Sequence, residues 1–267
     1  MENSKLRDMI KNNPHSIAYL DNPPDELKLL AVQKDGLVIK YIDNPTKEMQ
    51  EIAVENNGRA IQYIDNPTRE MMIKAIKDGW TNLEYIKNPT SDLIELALKQ
   101  AGWAIQYVNN PSEKWQLIAV RKNYDALKYI KEPYESVQEE AVRISYEALR
   151  YIDSPAPNIE LLAVKNNENA ITFIKNLDKN KILEFLKVNI LVIKYVVNEI
   201  SKEDLEQVLK EVLAQDDVAE KYVRDFINCS TLNQKSGLMP LDKIRLIYKY
   251  GSKKAKKIAV DEKLKII

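Results

Sequence analysis

The feature that most constrains this chain is its periodicity. Proline stands at Pro23, Pro45, Pro67, Pro89, Pro111, Pro133 and Pro155, each 22 residues after the last. An aromatic keeps the same step, at Tyr19, Tyr41, Tyr63, Tyr85, Tyr107, Tyr129, Tyr151, Phe173 and Tyr195. Alanine does so too, at Ala31, Ala53, Ala75, Ala97, Ala119, Ala141 and Ala163. Three columns on one period without an insertion specify an array of one supersecondary unit.

The unit from Pro45 to Asn66 shows what is repeated. Asn44 reads as an N-cap with Pro45 at the first helical position, where a missing N–H costs nothing. Met49, Ile52, Ala53 and Val54 follow on one side of a helix of about three turns. Asn57-Gly58 reads as a C-cap able to take positive φ. A second short α or 3₁₀ segment, Arg59 to Ile64, sets Ala60, Ile61 and Ile64 on one face. Such a pair cannot bury its apolar face alone, so neighbours must stack. The alanine column lets stacked helix axes approach to roughly 8–10 Å.

The expected fold is all-α: a right-handed α-solenoid of about nine 22-residue two-helix repeats over residues 1–198. A C-terminal helical cap with a basic tail, 199–267, closes it. The terminal units are atypical, with Pro14 in the first turn and Leu177 and Phe185 replacing Pro and Ala in the ninth. Beyond Asn198 the period is lost. Ser201-Lys202-Glu203-Asp204 opens an amphipathic helix to about Ala214. Further helices are expected near Asp217 to Asn228 and Leu241 to Tyr250, with Cys229 to Pro240 as a polar loop.

The phrases Ala31-Val32-Gln33-Lys34-Asp35-Gly36 and Ala60-Ile61-Gln62-Tyr63-Ile64 resemble a bacterial and phage helical-repeat family of unknown function, whose units read A-V-x-x-N-G-x-A-L-x-Y. The helix pairing is similar to leucine-rich-repeat-variant and HEAT-like solenoids. The resemblance covers about residues 1–198 and implies a role in protein or host interaction. It carries over no catalytic residue.

Composition narrows the function classes. With 45% hydrophobic residues and only 6 glycines in 267, the chain is neither disordered nor collagen-like. Cys229 is the only cysteine and His15 the only histidine, which excludes an internal disulfide and a His/Cys metal cluster. The N-terminus lacks the apolar stretch of a signal peptide, and no run approaches the roughly 18 apolar residues of a membrane span. A cytoplasmic protein with no membrane partner, no cofactor and no metal is expected. No phosphate-cradling loop, nucleophile elbow or zinc-hydrolase helix occurs, so no catalytic residue is assigned. Net charge is zero, yet Leu241 to Ile267 holds nine basic and three acidic residues.

Three sets of residues stand out as candidates for binding. Trp80, Trp103, Tyr124 and Tyr146 occupy adjacent corner positions in four consecutive repeats, where other units hold Gly36, Gly58, Arg59 and Glu168. Exposed Trp and Tyr are typical anchors for a protein partner; alternatively they fold back over the neighbouring corner. Lys77, Lys99, Arg121, Arg143, Lys165 and Lys187 form a basic column that could track a phosphate backbone, with Lys128, Arg150 and Lys194 nearby. The same column lies in the last turn of each long helix, opposite first-turn Glu26, Glu48, Glu70, Asp92, Glu113 and Glu135, which also suits the helix macrodipole. Lys253, Lys254, Lys256 and Lys257 form a basic run that reads as a solvated helix end or frayed terminus. The tyrosine column reads as packing, and Trp115, in the Leu/Met core column, as buried. The favoured function is a non-enzymatic scaffold binding a protein partner, with modulation of a host protein by a phage or mobile element as its elaboration. The alternatives are a nucleic-acid-binding solenoid using the basic column and tail, and an enzyme using carboxylates.

Overall fold

The computed structural model describes residues 2–264; the end of the basic tail, 265–267, lies outside the described residues. Every regular element among the described residues is helical, and the fold is an all-α repeat array. By packing, the chain divides into two compact units, Met1–Pro133 and Tyr134–Ile267.

In the first unit the long helices are Asp25–Lys34, Lys47–Asn56, Arg69–Asp78, Ser91–Gln100 and Glu113–Lys122, each starting 22 residues after the last. Each is followed by a six-residue 3₁₀ helix: Gly36–Tyr41, Gly58–Tyr63, Trp80–Tyr85, Gly102–Tyr107 and Tyr124–Tyr129. The helix Glu2–Asn12 and the 3₁₀ helix Pro14–Tyr19 lead into this array. Successive long helices pack on one another, as do successive 3₁₀ helices, so the unit has two layers. Ala31, Ala53, Ala75, Ala97 and Ala119 are fully buried, as the small-residue column requires. Leu27, Met49, Met71 and Leu93 join them, together with Val32, Val54, Ile76, Leu98 and Val120. Ala60, Ile61 and Ile64 form the buried face of the second segment. Trp115 departs from expectation: it is half-buried rather than buried, because its large ring cannot enter the space that Met71 or Leu93 fills.

The corners differ from the expectation in an instructive way. Asn44 is not an N-cap; it has φ 48°, and Asn22, Asn88, Asn110 and Asn176 in the same column are also left-handed. At Asn22, Asn44, Asn88 and Asn110 the following proline disfavours the right-handed α region, and asparagine tolerates the left-handed one; Asn176, before Leu177, adopts it without a proline. Pro45 therefore lies outside the helix. Thr46 is the N-cap, its hydroxyl accepting from Met49 N–H at 3.2 Å; Thr68 does the same for Met71 at 3.3 Å.

The other corner is corrected too. Asn57 is extended (φ −151°) and caps the 3₁₀ helix, its side chain accepting from Arg59 N–H at 3.0 Å; no glycine has positive φ. Glycine is needed there for closeness rather than for conformation. A Cβ on Gly102 would sit 2.9 Å from the carbonyl carbon of Ala119 in the next repeat, and one on Gly36 would sit 3.0 Å from that of Ala53. The approach is held by hydrogen bonds: Gly36 N–H donates to Asn56 Oδ1 at 2.9 Å, while Asn56 Nδ2 donates to Gln33 O at 3.2 Å. Gly58 N–H donates to Asp78 and Gly102 N–H to Asn123, at 3.0 and 2.9 Å. Each link ties backbone groups left without an intrahelical partner at a helix end to the following repeat.

The second unit holds three more long helices in the same register, Glu135–Ile144, Pro157–Asn166 and Lys179–Val188, with 3₁₀ helices Tyr146–Tyr151, Glu168–Phe173 and Ile190–Val192. Phe185 replaces alanine in the last and is buried, against the non-repeating helix Lys202–Leu213 that packs on it. That helix begins at the expected Ser201, with a complete capping box to Asp204. Glu220–Asn228 and Lys243–Tyr250 follow. The basic run is a solvated helix end rather than a frayed one: Lys253, Lys254, Lys256 and Lys257 are exposed at the start of the helix Lys253–Leu264, which docks through buried Ala255, Ile258 and Ala259. Arg224 pairs with Glu262, and Asn228 donates to Glu262 at 2.9 Å, pinning it to Glu220–Asn228.

Candidate functional site

Within the first unit the corner aromatics gather on the 3₁₀ layer. Trp80 and Trp103 have ring centroids 6.5 Å apart, and Trp80 lies 6.2 Å from Tyr107. These are within the range where tilted aromatic pairs attract. The Trp103 indole N–H donates to Asp125 Oδ1 at 2.8 Å, while Lys128 lies 5.8 Å from the Trp103 ring and 3.3 Å from Asp125. Burial pulls the Lys128 ammonium down, but the Asp125 carboxylate outweighs it and holds its pKa above the ordinary lysine value. Partial burial pushes the Tyr107 phenol up, with Glu84 acting in the same direction. Both tryptophans remain half-buried, so each ring is held by neighbours yet keeps part of its surface in solvent.

The sequence singled out Trp80 and Trp103; it placed Tyr107 in the packing column and Lys128 beside the basic column, did not name Asp125, and assigned none of the three to fixing the tryptophans. The signal was available: Asp125 is one period after Trp103, and same-column residues of neighbouring repeats are adjacent. Tyr124, half-buried, also lies in this unit. Tyr146 belongs to the second unit, where its ring lies 6.0 Å from Phe173. Trp80 thus folds over the neighbouring corner, at Trp103, while Tyr146 packs on Phe173 of the aromatic column in the next repeat.

The tyrosine column is more exposed than a purely packing role demands. Tyr19 is 88% exposed, and Tyr41, Tyr63 and Tyr129 about two-fifths. Cations lie over several rings: Lys40 on Tyr41 at 4.7 Å, Arg59 on Tyr85 at 6.0 Å and Lys128 on Tyr129 at 5.0 Å. His15, the single histidine, is held in place. It sits in the first 3₁₀ helix, its Nε2 2.8 Å from Asp35 Oδ2 and its ring edge-on to Tyr41.

The basic column is divided between the units. Lys77, Lys99 and Arg121 are exposed in the first, Arg143 and Lys165 in the second, and Lys187 there is half-buried. All six stand in the last turn of a long helix, with an acidic residue in the first turn of all but the last of these helices, as the macrodipole favours. Arg143 is paired with Glu139, and Lys187 with Glu184 at 2.9 Å and Glu211 at 3.3 Å. The Asp92 carboxyl is held below its usual range by the Thr90 hydroxyl and by Arg69 of the preceding repeat, 2.6 Å away.

Among the described residues no group of three or more His, Cys, Asp or Glu is placed to hold a metal ion. Cys229 is buried. No helix among them is long and apolar enough to cross a membrane. No family model, curated protein or solved structure matches the chain, so its function is read from its own surfaces.

Proposed function

We propose that the chain is a non-enzymatic scaffold that binds a protein partner through the aromatic corner of its first unit, with Trp80 and Trp103 as anchors. One observation carries this reading. Trp80 stands in a column where Gly36, Gly58 and Gly102 serve the repeat, and its ring is held by Trp103 and Tyr107 while the residue stays partly exposed. An aromatic immobilised before binding loses little side-chain entropy on association, which is what makes such residues effective anchors. Tyr124 extends the anchor set on the first unit, and Tyr146 is a further candidate on the second. Cytoplasmic location, the likeness to bacterial and phage 22-residue repeats, and modulation of a host protein belong to the same proposal.

The nucleic-acid reading is weaker, because Arg143 and Lys187 of the basic column are neutralised by carboxylates and the column already serves helix ends. Affinity capture from host lysate, with and without nuclease, separates the two. Capture should resist nuclease and be lost on Trp80→Ala with Trp103→Ala, while the helical circular-dichroism signal persists. Unchanged capture by the double variant would sink the proposal, and nuclease-sensitive capture would favour the alternative.

A further inference from the structure

The cap of the second unit carries a different surface. Outside it, the large apolar side chains left exposed are almost all tyrosines; the aliphatic ones concentrate in the cap, at Leu238, Ile244, Val260 and Leu264. Tyr248 joins them at 79% exposed. Lys243–Tyr250 buries only Ile247, while Lys253–Leu264 buries a narrow stripe of Ala255, Ile258 and Ala259. The two helices are joined by Gly251-Ser252, and Lys256 Nζ lies 5.8 Å from the Tyr248 ring, so their outer faces meet. One turn along each helix from that contact lie Ile244 and Val260. The result is an aliphatic patch on two adjoining helices.

Cations surround it. Arg245, Lys249, Lys253, Lys256, Lys257 and Lys263 are all exposed, and none forms an ion pair with a carboxylate among the described residues. In the repeats, by contrast, Arg69, Lys74 and Lys114 each reach a carboxylate on a neighbouring repeat. Glu262, which could offset the cap's charge, is taken by Arg224. The surface is therefore apolar and rich in unpaired cations, with Asp242 and Asp261 as its exposed carboxylates against those six exposed basic residues.

We infer that this face of Lys243–Tyr250 and Lys253–Leu264 docks on an anionic lipid bilayer surface. Unpaired cations match anionic headgroups in charge, and lysine stems can lie along apolar surface while the ammonium stays in water. The aliphatic side chains would enter the headgroup–acyl boundary, with Tyr248 at the interface. Protein interfaces are depleted in lysine and favour arginine and aromatics. A phosphate backbone has no use for exposed Ile244, Val260 and Leu264. Peripheral docking needs no spanning helix, so the expectation of no membrane partner, which rested on the missing span, does not bear on it. The inference is independent of the aromatic corner.

The test is co-sedimentation of the full chain with vesicles of pure phosphatidylcholine, and of phosphatidylcholine mixed equally with phosphatidylglycerol. Sedimentation is expected with the anionic vesicles alone. Each cation at an anionic surface is worth about fivefold in partitioning, so Lys253→Gln, Lys256→Gln and Lys257→Gln together should weaken binding on the order of a hundredfold. Tyr248→Ser with Val260→Ser, both at exposed sites, should weaken it about tenfold with the circular-dichroism spectrum unchanged. No sedimentation with anionic vesicles, equal binding to neutral ones, or insensitivity to either set of substitutions would overturn the inference. So would preferential binding of a single-stranded oligonucleotide in competition with the vesicles.

Discussion

Substituting Gly102 by alanine tests the claim that repeats are held at backbone contact. The added Cβ would meet only backbone of the next repeat: the Ala119 carbonyl carbon at 2.9 Å, its Cα at 3.2 Å and its oxygen nearer still. Optimal carbon contacts are about 3.5–4.0 Å, and no rotamer change can relieve a clash between backbones. The two repeats must separate by about 1 Å, which loosens packing around buried Ala119 and stretches the 2.9 Å bond from Gly102 N–H to Asn123. Overpacking of this kind costs about 3 kcal/mol. For a protein of this size that is a fall in Tm of about 6–12 °C. Gly79→Ala is the control. Its φ is −167°, ordinary extended backbone, and the nearest atoms to a new Cβ are side-chain atoms at 3.7 Å. Alanine there restricts the unfolded chain and should stabilise by about 0.4–1 kcal/mol. Differential scanning calorimetry on both variants decides the matter. Equal, small effects would refute the reasoning, because a repeat that tolerates Gly102→Ala cannot be stacked at backbone contact.

Two further predictions concern the second unit. The Tyr222 hydroxyl is buried and donates to Leu186 O at 2.9 Å, and burial drives its pKa far above the usual phenol range. Tyr222→Phe should therefore cost about 1–2 kcal/mol in urea unfolding, and in the native protein the Tyr222 phenol should stay un-ionised at pH values where the exposed tyrosines titrate. Asp204 has its carboxyl lowered to about 2, first by the Lys179 ammonium 2.8 Å away and then by Ser201. A depressed carboxylate contributes stability that is present above its unfolded pKa of 3.8 and is lost as pH falls through about 2. NMR titration should place its midpoint near 2, and Lys179→Ala should move it upward; an unmoved midpoint would remove Lys179 as the principal cause.

How much of this was legible in sequence depended on whether a residue had one physical role or two. Alanine at the 22-residue step admits one reading, small and buried, and Ala31 to Ala163 follow it. Ser201 with Asp204 likewise fitted only a capping box. Asparagine can cap a helix or adopt positive φ, and the choice at Asn44 is made by its neighbours: Pro45 removes the right-handed α region and Thr46 supplies the cap hydroxyl. Glycine has a similar ambiguity, since closeness and positive φ both call for it, and only the position of Ala119 O distinguishes them at Gly102. The docking of the helix Lys253–Leu264 was hidden because its buried stripe is narrow and its lysines are exposed. The corner cluster was half legible: the aromatics stand out, but their anchoring by Asp125 and Tyr107 depends on repeats stacking in register.

The most direct test of the binding claim is site-specific photocrosslinking. Thr81 is exposed beside Trp80, and Glu48 is exposed on the long helix Lys47–Asn56 of the same unit. A photocrosslinking amino acid at Thr81 should join the chain to one protein from nuclease-treated cell lysate, and the same group at Glu48 should not. Equal labelling from both positions, or a Thr81 product that persists after Trp80→Ala with Trp103→Ala, would contradict the account.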